Sequence, residues 1–143
     1  NIRNQILQVE DLIKTLPDKN VFYGDSDLCP LKHTFSNGIY VRQMKIPQGV
    51  LLTGKIHKHE HPWFLLKGKI TVVDEENGVQ KLEAPYTTIS KAGAKRVIYA
   101  VEDSILTTVH LNPDNIKDIK KLEEINIAKS YEEFDEINKI ENK

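Results

Sequence analysis

Apolar residues follow three different spacings along the 143-residue chain. In the first twenty residues they recur every three or four positions, which is the period of a helix with one apolar face. Pro17 then interrupts the pattern, and proline does not continue a helix. Residues 1–20 are therefore predicted to form one amphipathic helix packed on the main domain through Ile2, Ile6, Val9, Ile13 and Leu16.

Residues 21–112 carry short runs of β-branched and aromatic residues separated by turn signals. The runs include IYVRQMKI, VLLTGKIH, WFLLKGKITVV, KRVIYAV and ILTTVHL. Asn37-Gly38 and Asn77-Gly78 predict hairpins of type I′, because Asn-Gly readily takes the positive φ that this turn needs. Many short antiparallel strands with frequent turns favour a sandwich or a small barrel.

Residues 113–143 return to helical spacing and are rich in Lys, Glu, Asn and Ile. Ser130 and Glu133 form a predicted capping box, in which each residue satisfies a backbone N–H of the other at a helix start. An earlier helix is indicated by Ile116, Ile119, Leu122 and Ile125. We expect one or two helices here that dock on the barrel or on a partner subunit, and the alternative for the last several residues is a partly frayed, solvated tail.

Composition narrows the function classes. The formal net charge is −1, and no basic cluster is interleaved with aromatic residues, which argues against nucleic acid and anionic membranes as partners. The single cysteine, Cys29, excludes an intramolecular disulfide and suits a reducing compartment. No apolar run reaches the length of a transmembrane helix, so we expect a cytoplasmic protein.

The segment from Gly49 to Gly68, GVLLTGKIHKHEHPWFLLKG, holds three of the five histidines. Its spacing is a glycine, five residues, Lys55-x-His57, three residues, His61, six residues and a closing glycine. This resembles the first motif of the cupin superfamily, in which His-x-His stands at the Lys55-x-His57 positions and Glu stands at the His61 position. The resemblance implies a mainly β fold, a single antiparallel double-stranded β-helix (a jelly-roll or cupin barrel) over 21–112. An N-terminal helix and a C-terminal helical tail would flank it, as in a small stand-alone cupin of bacterial and phage genomes.

Another register would take His57-x-His59 as the His-x-His pair. It requires Glu at 63 or 64, where Trp63 and Phe64 stand. It also leaves too few residues between that glutamate position and the closing glycine, Gly68. The first register is favoured because glycines hold turns, and turns set strand register. If residues 58–60 form a turn, His57 and His61 become cross-strand neighbours and His59 lies at the tip. If the strand runs straight through, all three histidines face one way.

The second cupin motif is a glycine, five residues, Pro-x-Gly, two residues, His, three residues and Asn. It matches poorly around Gly93, where Lys91 replaces the proline, Arg96 the histidine and Ala100 the asparagine. The run KRVIYAVEDSILTTVH is typical of a hairpin that turns at residues 102–104. Such a hairpin would pair His110 with Arg96 or its neighbour, at the depth where the family keeps its third histidine.

The resemblance implies a metal site with ligands drawn from His57, His59, His61 and His110. Imidazole ligands suit Fe, Zn, Ni or Cu, and the sequence does not choose among them. Loss of the glutamate resembles the three-histidine variants of the superfamily. An open coordination position would permit Lewis-acid or oxygen chemistry. The remaining histidine, His33 in CPLKHTFSNG, is interpreted as a loop residue.

Lys55 and Arg96 place positive charge where a metal-binding cupin has histidines. Two cations repel a metal ion unless an anion is present, so we expect an anionic small-molecule ligand such as a carboxylate, a phosphate or a sugar nucleotide. Trp63 and Tyr99 are expected to wall the same pocket.

Three functions follow from these residues. The first is a metal-binding cupin that acts on an anionic small molecule. The second is a metal-free cupin that binds or isomerises such a ligand, with His57 or His61 as catalytic general base. The third is a non-catalytic binding module. A homodimer is expected for any of them.

Overall fold

A computed structural model of the chain describes residues 28–128 together with residues 3, 4, 7, 21–23, 130, 132, 133, 135 and 136. Arg3, Asn4 and Leu7 are helical, and the rest of the predicted helix over 1–20 lies outside the described residues. Two five-stranded sheets dominate the described part of the chain. Their strands are β1 (Val21–Tyr23), β2 (Leu31–Ser36), β3 (Gly38–Ile46), β4 (Leu51–Thr53), β6 (His61–Lys67), β7 (Lys69–Asp74), β8 (Gly78–Glu83), β9 (Tyr86–Ser90), β10 (Arg96–Ala100) and β11 (Ser104–Asn112).

The strand orders are β1-β4-β10-β7-β8 in one sheet and β2-β3-β11-β6-β9 in the other. All neighbours are antiparallel except β1 and β4, which pair in parallel. A further pair joins the short strands β5 (Ile56–His57) and β12 (Ile127–Ala128). The predicted mainly β architecture with a double-stranded β-helix is confirmed.

The core lies between the two sheets, because alternate residues of each strand point inward. In β6 the inward residues His61, Trp63 and Leu65 are buried, whereas Leu66 is 56% exposed. The main apolar cluster takes residues from both sheets, among them Met44, Ile46, Leu52, Trp63, Leu65, Ile70, Val72, Ile98 and Leu106. Burying one such large side chain contributes about 1.5–3 kcal/mol.

Two glycine turns set the register of the segment that carries the histidines. Gly49 and Gly68 both have positive φ, 85° and 90°, which glycine adopts without a steric penalty. A Cβ atom at Gly68 would lie 2.4 Å from the carbonyl oxygen of Asp103, so the chain also approaches too closely for a side chain there. In the two Asn-Gly turns only the glycine has positive φ, so the prediction of type I′ turns was wrong.

The predicted strand VLLTGKIH is broken in the middle. β4 ends at Thr53, and β5 begins at Ile56 and pairs with β12, not with β6. His57 and His61 are therefore not cross-strand neighbours, although residues 58–60 do form the predicted bend between their strands. Lys55 therefore lies between β4 and β5 and not within a strand, as the sequence suggested it would.

The predicted hairpin between β10 and β11 is also wrong. β10 pairs with β4 and β7, whereas β11 pairs with β3 and β6. The chain crosses from one sheet to the other at residues 101–103, and His110 lies opposite Tyr40 of β3. Periodicity identifies the inward face of a strand but not the neighbouring strand, which explains the error.

The C-terminal region contains helix α1 (Ile119–Asn126), as the spacing predicted. Asp118 caps it, since its carboxylate accepts a hydrogen bond from the backbone N–H of Lys120 at 3.0 Å. Further on, the backbone N–H of Glu133 donates to Ser130 Oγ at 3.1 Å, which is half of the predicted capping box. No helix in the described part of the chain is long and apolar enough to cross a membrane.

Candidate functional site

A cavity of about 100 Å³ lies between the sheets beneath α1. Its floor is apolar, and its wall carries cationic and imidazole side chains. One face of α1 closes it from above. The lining residues include Met44, Leu52, Ile98 and Leu106 on the floor, Arg42, Lys55, His57, Arg96 and His110 on the wall, and Leu122, Glu123 and Asn126 above.

Three histidines meet at this cavity from different elements. The ring centroid of His57, at the end of β5, lies 4.4 Å from that of His61, at the start of β6. His110 of β11 lies 4.7 Å from His61 and 6.0 Å from His57. His57 and His110 line the cavity, and His61 is packed against both. The structure therefore brings together three of the four histidines proposed as metal ligands.

Hydrogen bonds indicate which ring nitrogens carry lone pairs. His61 Nδ1 lies 3.2 Å from the carbonyl oxygen of His59, and because a carbonyl only accepts, Nδ1 donates and Nε2 keeps a lone pair. That Nε2 is buried without a partner in the described structure, as is His57 Nδ1. His110 Nε2 is hydrogen-bonded to Thr108 Oγ1 at 2.9 Å. If His110 donates in that bond, its Nδ1 also keeps a lone pair.

Burial keeps these rings neutral. It lowers the pKa of His57 well below its ordinary value of 6.5. The pKa of His61 falls to about 4, mainly because of burial, and the hydrogen bond to the His59 carbonyl opposes this shift. The pKa of His110 falls to about 3, mainly through burial, with His61 and two arginines adding repulsion. At neutral pH all three imidazoles are therefore uncharged and able to act as ligands.

Arg96 is the buried cation of the site. Only 6% of its surface is exposed, its guanidinium carbon lies 4.9 Å from the centroid of the Trp63 ring, and its Nη1 has no hydrogen-bond partner. Among the described residues no carboxylate lies within ion-pair distance of it. Burial lowers its pKa to about 10, with Asp74 opposing the change. Arg96 is thus charged and buried at neutral pH, with no ion-pair partner among the described residues.

The other predicted ligand-binding residues lie in different places. Lys55 lines the cavity but forms an ion pair with Glu123 of α1. Trp63 is buried under Arg96 and beside Tyr86, so it supports the site from behind. Tyr99 points outward from β10 with 42% of its surface exposed. The structure does not bring Tyr99 to the cavity, because it stands on the opposite face of its strand from Arg96 and Ile98.

His59, the fourth histidine proposed as a metal ligand, points away from the other three. Its side chain is exposed, and its Nε2 donates to the carbonyl oxygen of Ile125 at 3.2 Å. The bend at 58–60 sends its ring toward the end of α1, as the turn alternative for this segment predicted.

Three lining residues were not predicted to belong to the site: His33 was interpreted as a loop residue, and Tyr40 and Arg42 were not considered. His33 is a strand residue of β2 and not part of a loop, and its Nδ1 lies 2.7 Å from the hydroxyl oxygen of Tyr40. The Tyr40 ring stacks on His110 with centroids 5.7 Å apart, and Arg42 follows two positions later on the inner face of β3. The period-two spacing of Tyr40, Arg42 and Met44 was the signal that could have found this wall.

The imidazoles do not form a ready coordination shell. Within the described residues, no group of three or more His, Cys, Asp or Glu side chains is arranged to hold a metal ion as it stands. The rings are nevertheless adjacent, and His57 Nδ1 and His61 Nε2 are buried without a hydrogen-bond partner. The side chains would have to rotate for three nitrogens to share one ion.

No family model matches the sequence, and no curated protein matches it. Solved structures do resemble it. An uncharacterized conserved protein with a double-stranded beta-helix domain from Klebsiella pneumoniae is 17% identical, with a TM-score of 0.53 over 64% of this chain and 84% of that one. KdgF from Halomonas sp. is 13% identical, with a TM-score of 0.53 over 66% and 87% of the two chains.

A third structure is a Cupin 2 conserved barrel domain protein from Salinispora arenicola. It is 11% identical, with a TM-score of 0.50 over 68% of this chain and 87% of that one. Identities this low show the fold alone. Together with the strand order, these structures show that the chain has the cupin-type, double-stranded β-helix fold.

Proposed function

We propose that this cupin-type barrel binds one divalent transition metal at His57 and His61, with His110 as the third ligand, and holds a small anionic molecule beside it on Arg96. The observation that carries the proposal is the group of unsatisfied buried atoms His57 Nδ1, His61 Nε2 and Arg96 Nη1. A buried polar group without a partner costs free energy. Ligands that satisfy these atoms would recover that cost.

The donor atoms fit a metal of the Fe, Ni, Cu or Zn type, because neutral imidazoles are good ligands for these ions. The hydrogen bond from His61 Nδ1 to the carbonyl of His59 orients the ring as outer hydrogen bonds do at metal sites. A metal here would supply Lewis-acid polarisation of a bound oxygen. The residues of the chain orient and neutralise the ligand.

Arg96 explains why the ligand should be an anion. A buried guanidinium without an ion-pair partner is costly, and a carboxylate or phosphate can accept two parallel hydrogen bonds from it, one on each of two oxygens. Arg42 adds positive charge to the same wall. The cavity of about 100 Å³ is smaller than the cavity of about 150 Å³ that binds benzene in an engineered protein. A small carboxylate or phosphate therefore suits it better than a sugar nucleotide.

A metal-free anion-binding cupin is the second candidate, and the absence of a ready coordination shell among the described residues favours it. With pKa values far below neutral, His57 and His61 are weak bases in the ligand-free protein. An anion bound beside them would raise both pKa values toward the range that suits a general base.

The metal test uses protein purified without a His-tag. Metal content is measured by mass spectrometry, followed by titration with Zn²⁺, Ni²⁺, Fe²⁺ and Cu²⁺. We expect about one ion per chain in the wild type and in Lys91→Met, which changes an exposed lysine outside the cluster, and loss of binding in His57→Ala/His61→Ala. No uptake by the wild type, or equal uptake by the double variant, would contradict the metal proposal.

The anion test is a thermal-shift series with phosphate, acetate and malonate, and with acetamide as a neutral control. Anions should raise the melting temperature of the wild type, because ligands that bind only the folded state stabilise it. Arg96→Met should lose the shift, whereas Lys91→Met, which changes an exposed lysine paired with Glu76, should keep it. A shift that survives in Arg96→Met would place the anion elsewhere.

A further inference from the structure

Helix α1 covers the cavity with a single face. The cavity-lining residues Ile119, Leu122, Glu123 and Asn126 are spaced three and four positions apart, as one helical face requires. Leu122 and Asn126 are the two buried residues of the helix. A ligand that enters from above must therefore pass α1.

The bend that carries His59 caps the C-terminal end of this helix. The carbonyl oxygen of Glu124 accepts from Lys58 Nζ at 2.7 Å, that of Ile125 from His59 Nε2 at 3.2 Å, and that of Asn126 from the backbone N–H of Lys58 at 2.7 Å. The last carbonyls of a helix have no partners within it, and positive side chains there also suit the helix dipole. Two adjacent residues of the bend thus satisfy three consecutive carbonyls.

The same region ties the cover to His57. Immediately after α1, β12 pairs with β5, so that Ile127 lies opposite His57 and Ala128 opposite Ile56. On the other side of β5, the backbone N–H of Gly93 donates to the His57 carbonyl at 2.7 Å. His57 is therefore held between the cover and the barrel, and its position depends on both.

The cover has little share in the main core. Ile56 and Ala128 form an apolar cluster of their own, separate from the cluster between the sheets. Its other side-chain attachments include polar ones: Lys55 forms an ion pair with Glu123, and the side chain of Asn112 bonds both the N–H and the carbonyl of Ile116. Elements with few core contacts open more readily than the rest of a protein.

We propose that α1 and β12 form a movable cover that controls entry to the cavity, and that Lys58 and His59 are its latch. They are positioning residues: they hold the cover on the barrel, and through β12 they hold His57 in place. This gives His59 a role other than that of a metal ligand. The test of the cover measures access to the cavity and does not depend on whether a metal or an anion binds there.

Access can be measured by thiol labelling of the full chain. Thr53 is fully buried, lines the cavity and has an unpartnered Oγ1, so Thr53→Cys places a thiol of similar size there. Cys29 is buried in the main core with 1% of its surface exposed, and its labelling reports unfolding of the barrel. Iodoacetamide modification of both sites is followed by mass spectrometry of the peptides.

We expect residue 53 to be labelled faster than Cys29 in Thr53→Cys. Adding Lys58→Ala and His59→Ala should accelerate labelling at residue 53 by about tenfold, given the usual strength of hydrogen bonds and dipole contacts at a helix end. Labelling at Cys29 should not change. His59→Gln keeps an N–H donor, so labelling at residue 53 should be nearly as slow in this variant as with His59 present. Lys91→Ala should have no effect on labelling at residue 53.

Two results would overturn the proposal. One is labelling at residue 53 that is unchanged by loss of the latch, which would mean that the cavity is reached by another route. The other is an equal rise at residue 53 and Cys29, which would mean that the latch only stabilises the whole barrel.

Discussion

Replacing Arg96 with methionine should make the ligand-free protein more stable. The lowering of the Arg96 pKa from 12.5 to about 10 by burial corresponds to a penalty of roughly 3 kcal/mol on the charged form in the folded state. Because the folded pKa of this base is depressed, the penalty is fully present at every pH well below 10, including pH 7. The contact with the Trp63 ring returns about 0.5–2 kcal/mol. Methionine has similar reach and no charge, so the expected net gain is about 1–2.5 kcal/mol.

Urea unfolding followed by circular dichroism at pH 7, in a buffer without carboxylate or phosphate, measures this gain. Lys91→Met is the control, since it removes an exposed lysine and should change the free energy of unfolding by less than about 0.5 kcal/mol. The wild type should regain the difference when a binding anion is added, and Arg96→Met should not. If Arg96→Met is instead less stable than the wild type by more than about 1 kcal/mol, the guanidinium is already compensated in the folded state and the case for an anion site fails.

Three further predictions concern the same elements. The free energy of unfolding should fall as pH drops below 6.5, because burial depresses the pKa values of His57, His61 and His110 and the unfolded chain gains these protons first. The share of His61, whose pKa falls to about 4, is roughly 3 kcal/mol. Thermal melts should show that His61→Gln removes this share and leaves the rest, and an unchanged pH dependence in that variant would contradict the assignment. Gly68→Ala should lower the free energy of unfolding by about 1–3 kcal/mol in urea melts. Gly38→Ala should cost less, because Gly38 also has positive φ but has open space where a Cβ atom would lie. Equal losses would mean that the close approach of Gly68 to Asp103 has no effect. Tyr99→Ala should leave metal and anion binding unchanged in titrations, and a loss would mean that Tyr99 contributes to the site despite its outward position.

The fold and the centre of the site could be predicted because the relevant signals are local. Gly49 and Gly68 do hold turns, and the spacing between them places the histidines at the strand ends. Period two then puts His61 on the inner face of its strand. The nearness of His57 and His61 was foreseen, but from a cross-strand pairing that does not occur.

The remaining features depend on contacts between distant parts of the chain. Lys55 forms an ion pair with Glu123, which is 68 residues away in the sequence. No local sequence pattern indicates that the charge of Lys55 is neutralised in this way. His59 looked like a member of a metal-binding row because its partner, the carbonyl of Ile125, belongs to a helix whose docking the sequence did not specify. Arg42 was overlooked because a charged residue in an alternating strand normally faces solvent.

The most direct test of the proposed site is the anomalous diffraction of crystals of tag-free protein soaked with Zn²⁺. The predicted result is one strong anomalous peak within coordination distance of His57 Nδ1 and His61 Nε2, at about 2.0–2.1 Å from each, with His110 beside them. Peaks found only at His59, at His33 or on the outer surface, with none among His57, His61 and His110, would contradict it.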